Sequence, residues 1–176
     1  MFPPDFPKYL SCTKRARQIY ADYTDQVEPF GLDECWLDVS GSVGLFGNGL
    51  TIAQEISGRI KEELGVTVSI GVSWNKIFAK LGSDYKKPDA ITVFDHENYR
   101  DLIWPLPVGD LLYVGPSTNR KLRNMAVFTI GDLAHVDLRY TRPVLDNMAV
   151  TLQPCVNGWS TSPRAPHLAP PPPTIP

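Results

Sequence analysis

Phe30-Gly31-Leu32-Asp33-Glu34-Cys35-Trp36-Leu37-Asp38-Val39-Ser40 is the stretch from which the fold can be read. From Glu34 onward the side chains follow the two-residue period of a β-strand. Cys35, Leu37 and Val39 face one way, and Glu34, Trp36 and Asp38 the other. Val27–Gly31 reads as a preceding strand, which makes a hairpin with the adjacent carboxylates of Asp33 and Glu34 at its junction. Two such carboxylates are hard oxygen donors, a set that suits Mg²⁺ when waters and substrate phosphates complete the shell. The same pair also suits a plain solvated turn, since exposed acids are the norm. Asp38 lies about 13 Å beyond Glu34 along an extended strand, too far to share an ion with it. It reads as structural, a cap for the turn at Ser40–Ser42.

Working outward, Pro7 to about Tyr23 has helical period, with Leu10, Thr13, Ala16, Ile19 and Tyr20 on one face and Lys14, Arg15 and Arg17 mostly turned outward. Gly41, Gly44 and Gly47 mark a loop. Asn48–Leu64 is a second helix with Ile52, Ile56, Ile60 and Leu64 in one row, ended by Gly65 in a left-handed cap. Thr67–Ser73 is a short buried strand. Asn75–Lys86 is a helix through Ile77, Phe78 and Leu81 that Pro88 prevents from continuing. Ala90–Phe94 is a strand and Glu97–Trp104 a short helix. This order predicts an α+β sheet, antiparallel or mixed, with helices packed on one face. The crossover helix is expected to bring strands Cys35–Ser40 and Thr67–Ser73 side by side or nearly so.

After Pro105 short helical pieces follow at Val108–Leu112, Ser117–Met125 and Thr129–Ala134, a small all-α unit. From about Gln153 proline takes over, with Pro163, Pro166 and the run Pro170–Pro173, and the pattern predicts a polyproline-like or disordered tail. The expected division is therefore 1–104, 105–152 and 153–176.

Composition sets bounds. The chain has 176 residues, 43% of them hydrophobic, enough for one domain and a small second one. A net charge of −2 exerts no general attraction on nucleic acid, so any such contact must use local basic patches. Cys12, Cys35 and Cys155 are far apart and form no CxxC pair, which argues against a zinc site or a disulfide framework and fits a reducing, cytoplasmic compartment. No apolar run has the length of a membrane span, and no leader pattern opens the chain.

A second informative stretch runs from Gly71 to Pro88, where a strand gives way to a helix and lysines recur at Lys76, Lys80 and Lys87. Lys76 and Lys80 share a helical face and Lys87 lies near it. Such a face meets an anionic polymer or a triphosphate, or is simply solvated.

At this point the residues resemble a known family, the Y-family translesion DNA polymerases of the DinB/UmuC type. Gly31–Val39 resembles the family's S-x-D-E-x-x-L-D-V motif, and Gly71–Pro88 matches its G-x-x-x-N-K-x-x-A-K-x-x-S-D-x-x-K-P motif at every named position. Val114-Gly115-Pro116, Lys121-Leu122 and Thr129–Ala134 resemble its thumb, which contains a helix-hairpin-helix-like element. Three motifs in the family's order span about residues 7–135, and together they are far more specific than any one.

The resemblance implies a partial ferredoxin-like polymerase palm followed by a small all-α thumb. It implies that Asp33 and Glu34 are catalytic metal ligands, two of the palm's three carboxylates, in a two-metal Mg²⁺ site. One ion activates the primer 3′-hydroxyl and the other neutralises the leaving pyrophosphate. Lys87 resembles the lysine that contacts the triphosphate of the incoming deoxynucleotide. Gly115, Ser117, Thr118, Arg120 and Lys121 would contact the primer–template DNA at a helix start and basic cluster. The implied activity is error-prone DNA synthesis past damaged bases. A sliding clamp is a partner in the full-length family, but no clamp peptide is recognisable here. Asp84, Trp36, Tyr85 and Phe78 read as structural.

Some departures carry expectations of their own. Gly31 stands where many members have serine, and Tyr113 where many have the thumb hairpin's first glycine. Ala126 occupies another common glycine position, so a left-handed conformation there would be strained. The family's first metal-binding aspartate, its steric-gate aromatic and its fingers have no counterpart before Pro7, and no little finger follows. The expectation for the chain alone is therefore little or no polymerase activity, weak Mg²⁺ binding and an exposed sheet edge. A non-catalytic damaged-DNA-binding module, another metal enzyme on a palm-like sheet and a decayed polymerase fragment are the competing readings.

Overall fold

The computed structural model describes residues 5–159, which form two compact units. One comprises the chain up to Val72 together with Gly82–Val93. The other comprises Ser73–Leu81 and the chain from Phe94 onward.

The first unit opens with α1 (Phe6–Ala21), capped by the Asp5 side chain and started by proline in its first turn. Next comes the expected hairpin, β1 (Val27–Phe30) and β2 (Glu34–Leu37), antiparallel with Phe30 opposite Glu34 and Val27 opposite Leu37. The Asp38 amide donates to the Gln26 carbonyl at 3.1 Å. By the alternation of an antiparallel ladder, the opposed pairs at 28/36 and 30/34 are then also hydrogen-bonded, whereas 29/35 is not. Pro29, which has no N–H, therefore sits where the ladder needs none. A three-residue loop, 31–33, closes the hairpin, with Gly31 at φ 65°. That left-handed conformation is easy for glycine and strained for the serine common in the family.

The glycine-marked loop holds a 3-10 turn at Ser40–Ser42 and a single helical turn, α2 (Val43–Phe46). Asp38 accepts from the Ser40 amide at 3.0 Å, the capping role read from its position. Helix α3 (Gly49–Leu64) begins at Asn48, whose side chain accepts from the Thr51 amide at 3.0 Å, and ends at Gly65 with φ 67°. Ile52, Ile56 and Ile60 of α3 meet Ile19 of α1 and Tyr23 just beyond its end in a small buried core, with Leu37 and Val39 packed against it. The expected apolar face of α1 extends less far than predicted, since Leu10 near its start is exposed.

β3 is shorter than expected, Ile70–Val72, and only half-buried. It pairs in parallel with β4 (Ile91–Val93), the two joined through α4 (Lys76–Tyr85). Among the described residues the strands make two separate two-stranded sheets. Cys35–Ser40 and Thr67–Ser73 are thus not hydrogen-bonded to each other among the described residues, although Leu37, Val39 and Ile70 pack against the same small core, and β3 and β4 form a β–α–β unit. A parallel pair requires a crossover element, and α4 supplies one for β4. α3 packs against both β3 and β4.

In the second unit, Ile77, Phe78 and Leu81 of α4 join Phe94, Tyr99 and Ile103 in a larger core. The Asn75 side chain caps α4, accepting from the Phe78 amide at 2.8 Å. Helices α5 (Tyr99–Ile103), α6 (Pro116–Asn124), α7 (Ile130–His135), α8 (Leu138–Leu145) and α9 (Ala149–Val156) complete it. The helical character expected after Pro105 holds, with α8 and α9 added to the three pieces read from the sequence. The predicted break at Gln153 does not occur there, because Gln153 and Pro154 lie inside α9. A proline at 154 forgoes only the bond to the Val150 carbonyl, while Leu152, Cys155 and Val156 are buried around it. The remainder of the expected tail, from Ser160, lies outside the described residues.

Candidate metal and nucleotide site

Asp33 is the last residue of the hairpin loop and is exposed, while Glu34 is the first residue of β2 and half-buried. Both carboxylates therefore stand at the mouth of the hairpin, as the alternation predicts. Phe30 and Trp36 pack against each other on the strands, their rings tilted, with centroids 4.7 Å apart.

Beneath the loop lies a residue that the sequence reading turned outward. Arg17 of α1 is half-buried and donates from Nη2 to the Leu32 carbonyl at 3.3 Å. Its Nε is buried and has no partner among the described residues. Tyr20, one turn further along α1, has its phenol pushed up to about 12, chiefly by burial. The Cys35 and Cys12 thiols and the Asp33 carboxylate add to that shift and Arg17 opposes it. Burial also raises the Cys35 thiol, against the nearby guanidinium of Arg17. A helical arginine in a basic run carries no sequence mark of such a role; only the tertiary contact reveals it.

Lys87 belongs to the same unit as the acids and follows the end of α4. Its ammonium is half-exposed and pairs with Asp84 at 2.6 Å, which gives Asp84 the structural part expected of it. The Lys87–Pro88 peptide is cis. Tyr85 is exposed rather than near the core, while Phe78 is fully buried as expected. Among the described residues no third His, Cys, Asp or Glu joins Asp33 and Glu34 in a metal-sized cluster. Their fit to Mg²⁺ is that of a partial site, with the right hard donors and room for oxygen ligands from water or phosphate.

The predicted DNA-contact residues lie on the second unit, at the start of α6. Gly115 is the extended residue before the helix, Pro116 opens it, and no side chain caps it. Ser117, Arg120 and Lys121 share an exposed face, three and four residues apart. Thr118 departs from the set. One turn before the fully buried Leu122, it is half-buried on the inner side. Among the described residues neither Arg120 nor Lys121 forms an ion pair, whereas the Arg123 guanidinium lies over the Phe128 ring at 5.2 Å. The two glycine-position departures both adopt left-handed backbone, Tyr113 at φ 74° and Ala126 at φ 59°.

Residues 1–84 match the impB/mucB/samB family model. The chain is 60% identical to DNA polymerase IV of Acetivibrio thermocellus over 89% of its own length and 39% of that protein's. It is 37% identical to DNA polymerase IV of Moorella thermoacetica, covering 94% of this chain and 41% of the relative. In three dimensions it resembles DinB from Sulfolobus solfataricus, with a TM-score of 0.77 and 26% identity over 88% of this chain and 46% of that one. An insertion ternary complex of Dbh DNA polymerase gives a TM-score of 0.81 and 26% identity, covering 91% of this chain and 47% of that one. The chain thus spans about two fifths of the length of these curated relatives. Its sequence motifs, relatives and fold agree, and the chain belongs to the Y-family DNA polymerases.

Proposed function

We propose that this chain carries part of the catalytic core of a translesion DNA polymerase. The reaction would extend a primer with deoxynucleotides opposite damaged template bases by nucleotidyl transfer. The observation that carries the reading is the adjacent pair Asp33 and Glu34 at the hairpin mouth, in the same compact unit as Lys87. Asp33 and Glu34 would hold Mg²⁺, which, when bound, stabilises the charge that develops on the attacking 3′-hydroxyl and on the departing pyrophosphate. Lys87 would place an ammonium near the triphosphate, with Asp84 orienting it until phosphate oxygens compete for the same protons. Hairpin and helix would contribute alignment and charge placement, which supply most of the catalysis in phosphoryl transfer.

On the second unit, the uncapped start of α6 leaves amides free to donate to a phosphate oxygen, and Ser117, Arg120 and Lys121 line the exposed face beside it. This supports primer–template DNA as the partner, gripped through its backbone.

The test pairs two measurements on the full chain. Mn²⁺ binding, followed by electron paramagnetic resonance, should weaken in Asp33→Asn and Glu34→Gln and tighten when a deoxynucleoside triphosphate is added. DNA binding should fall steeply with salt and weaken in Arg120→Ala and Lys121→Ala. If Mn²⁺ binding ignored both carboxylates while DNA binding persisted, the non-catalytic DNA-binding reading would take precedence.

A further inference from the structure

We propose that Arg17 is a positioning residue that clamps the acid-bearing turn by holding the backbone immediately before the Asp33–Glu34 pair. This inference rests on the reading of those two acids as metal ligands. Arg17 Nη2 donates to the carbonyl of Leu32, immediately before the pair, at 3.3 Å. The guanidinium thus holds the backbone of the loop at the residue that precedes both acids.

The clamp has a fixed base. Two residues beyond Arg17, Ile19 is buried against α3, and Tyr23 follows one turn later in the same core. With these anchors just after it, Arg17 has little freedom to drift, and its buried Nε shows how closely the stem is enclosed. The held object, in contrast, needs holding. The loop 31–33 is exposed, is three residues long and contains a glycine in left-handed backbone. Two neighbouring carboxylates on such a loop repel one another and would splay into solvent unless the backbone beneath them were tied down. Arg17 fixes that backbone from the helix side and leaves the mouth of the hairpin open.

The experiment uses the full chain with Arg17→Met and Arg17→Lys, and with Ile60→Val as a control that loosens the same core away from the turn. Two quantities are read: the exchange rates of the Glu34 and Trp36 amides, which the hairpin ladder protects, and Mn²⁺ affinity from electron paramagnetic resonance. Arg17→Met should speed exchange at Glu34 and Trp36 by on the order of tenfold, the effect of a lost charged hydrogen bond. Exchange within α3 should stay unchanged and Mn²⁺ affinity should drop several-fold. Arg17→Lys keeps one donor and should recover most of both, while Ile60→Val should move neither.

The proposal is overturned if Arg17→Met leaves turn exchange and Mn²⁺ affinity at their parental values. It is also overturned if Ile60→Val reproduces both changes, because Arg17 would then matter only through general stability. If the parent chain binds no Mn²⁺ yet Arg17→Met still frees the turn, the clamp stands and the metal reading of Asp33 and Glu34 falls.

Discussion

Replacing Ala126 by glycine should stabilise the second unit, and the reason lies in the way α6 ends. The Val127 amide donates to the Leu122 carbonyl and the Ala126 amide to the Arg123 carbonyl, both at 3.0 Å. These are the two bonds of a Schellman motif, and the accompanying apolar contact falls on the buried Leu122 and Val127. Such a motif places the residue after the cap in left-handed backbone, and that residue is Ala126 at φ 59°. An L-residue there costs about 1–2 kcal/mol through its Cβ. Glycine removes that cost but gives back about 0.4–1 kcal/mol through the greater freedom of the unfolded chain. The net expectation is a gain of about 0.5–1 kcal/mol, or a melting temperature higher by about 1–4 °C for a chain of this size. Tryptophan fluorescence suits the assay, since Trp74 and Trp104 both report on this unit. Ala126→Val should shift the transition the opposite way, because a β-branched residue tolerates positive φ worst. A glycine variant no more stable than the parent, together with a tolerated valine, would show that the motif's strain is not where the geometry places it.

Three further outcomes are expected. The Asp132 carboxyl is held below the usual carboxylate range by the amides of Thr129 and then Phe128 in a capping box at the start of α7. Its contribution is therefore complete above about pH 4, the unfolded value, and is lost as pH falls through the lower folded value. The stability gap between the parent and Asp132→Asn, measured by denaturant titration, should accordingly narrow below about pH 4. Gln153→Ala should cost about 1–3 kcal/mol, because the Val136 carbonyl loses the Gln153 amide and the buried Thr141 hydroxyl keeps only its longer bond to the Leu138 carbonyl. Ile60→Ala, at the centre of the smaller core, should cost about 2–5 kcal/mol and be seen first as lost amide protection in α3.

Local chemistry made much of this fold legible. The hairpin, the Asn48 and Gly65 ends of α3, the Asp38 cap and the strain at Ala126 are each set by a few adjacent residues, so a one-dimensional reading reaches them. Proline misled the reading near Gln153. It signals a helix end in isolation, but Pro143 and Pro154 sit inside eight-residue helices. Each forgoes one backbone bond, and the burial of Leu145, Leu152, Cys155 and Val156 outweighs that loss. Strand pairing was lost for a different reason. Alternation tells which way a side chain faces but not which edge it meets, and β3 took β4 as its partner across α4.

The candidate site divides along the same line. Asp33, Glu34 and Lys87 carry their chemistry in their identity and spacing, so they are visible before any fold is known. Their supports, Arg17 beneath the loop and Asp84 beside Lys87, differ in legibility. Asp84 is three residues from Lys87, so the pair is a local one at the end of α4. Arg17 is fifteen residues from Leu32 in a helix with several basic side chains, and nothing in its neighbourhood separates it from Lys14 or Arg15. What separates them is the register of α1 on α3. Burying Ile19 and Tyr23 rotates position 17 toward the hairpin. Arg15 is turned instead to the carbonyl of Glu63, at 2.9 Å. The residues that bear the charge at this site are thus written locally, whereas the residue that steadies them is specified by core packing. A substitution in that core that rotated α1 without unfolding it should therefore disturb the acid-bearing turn from a distance.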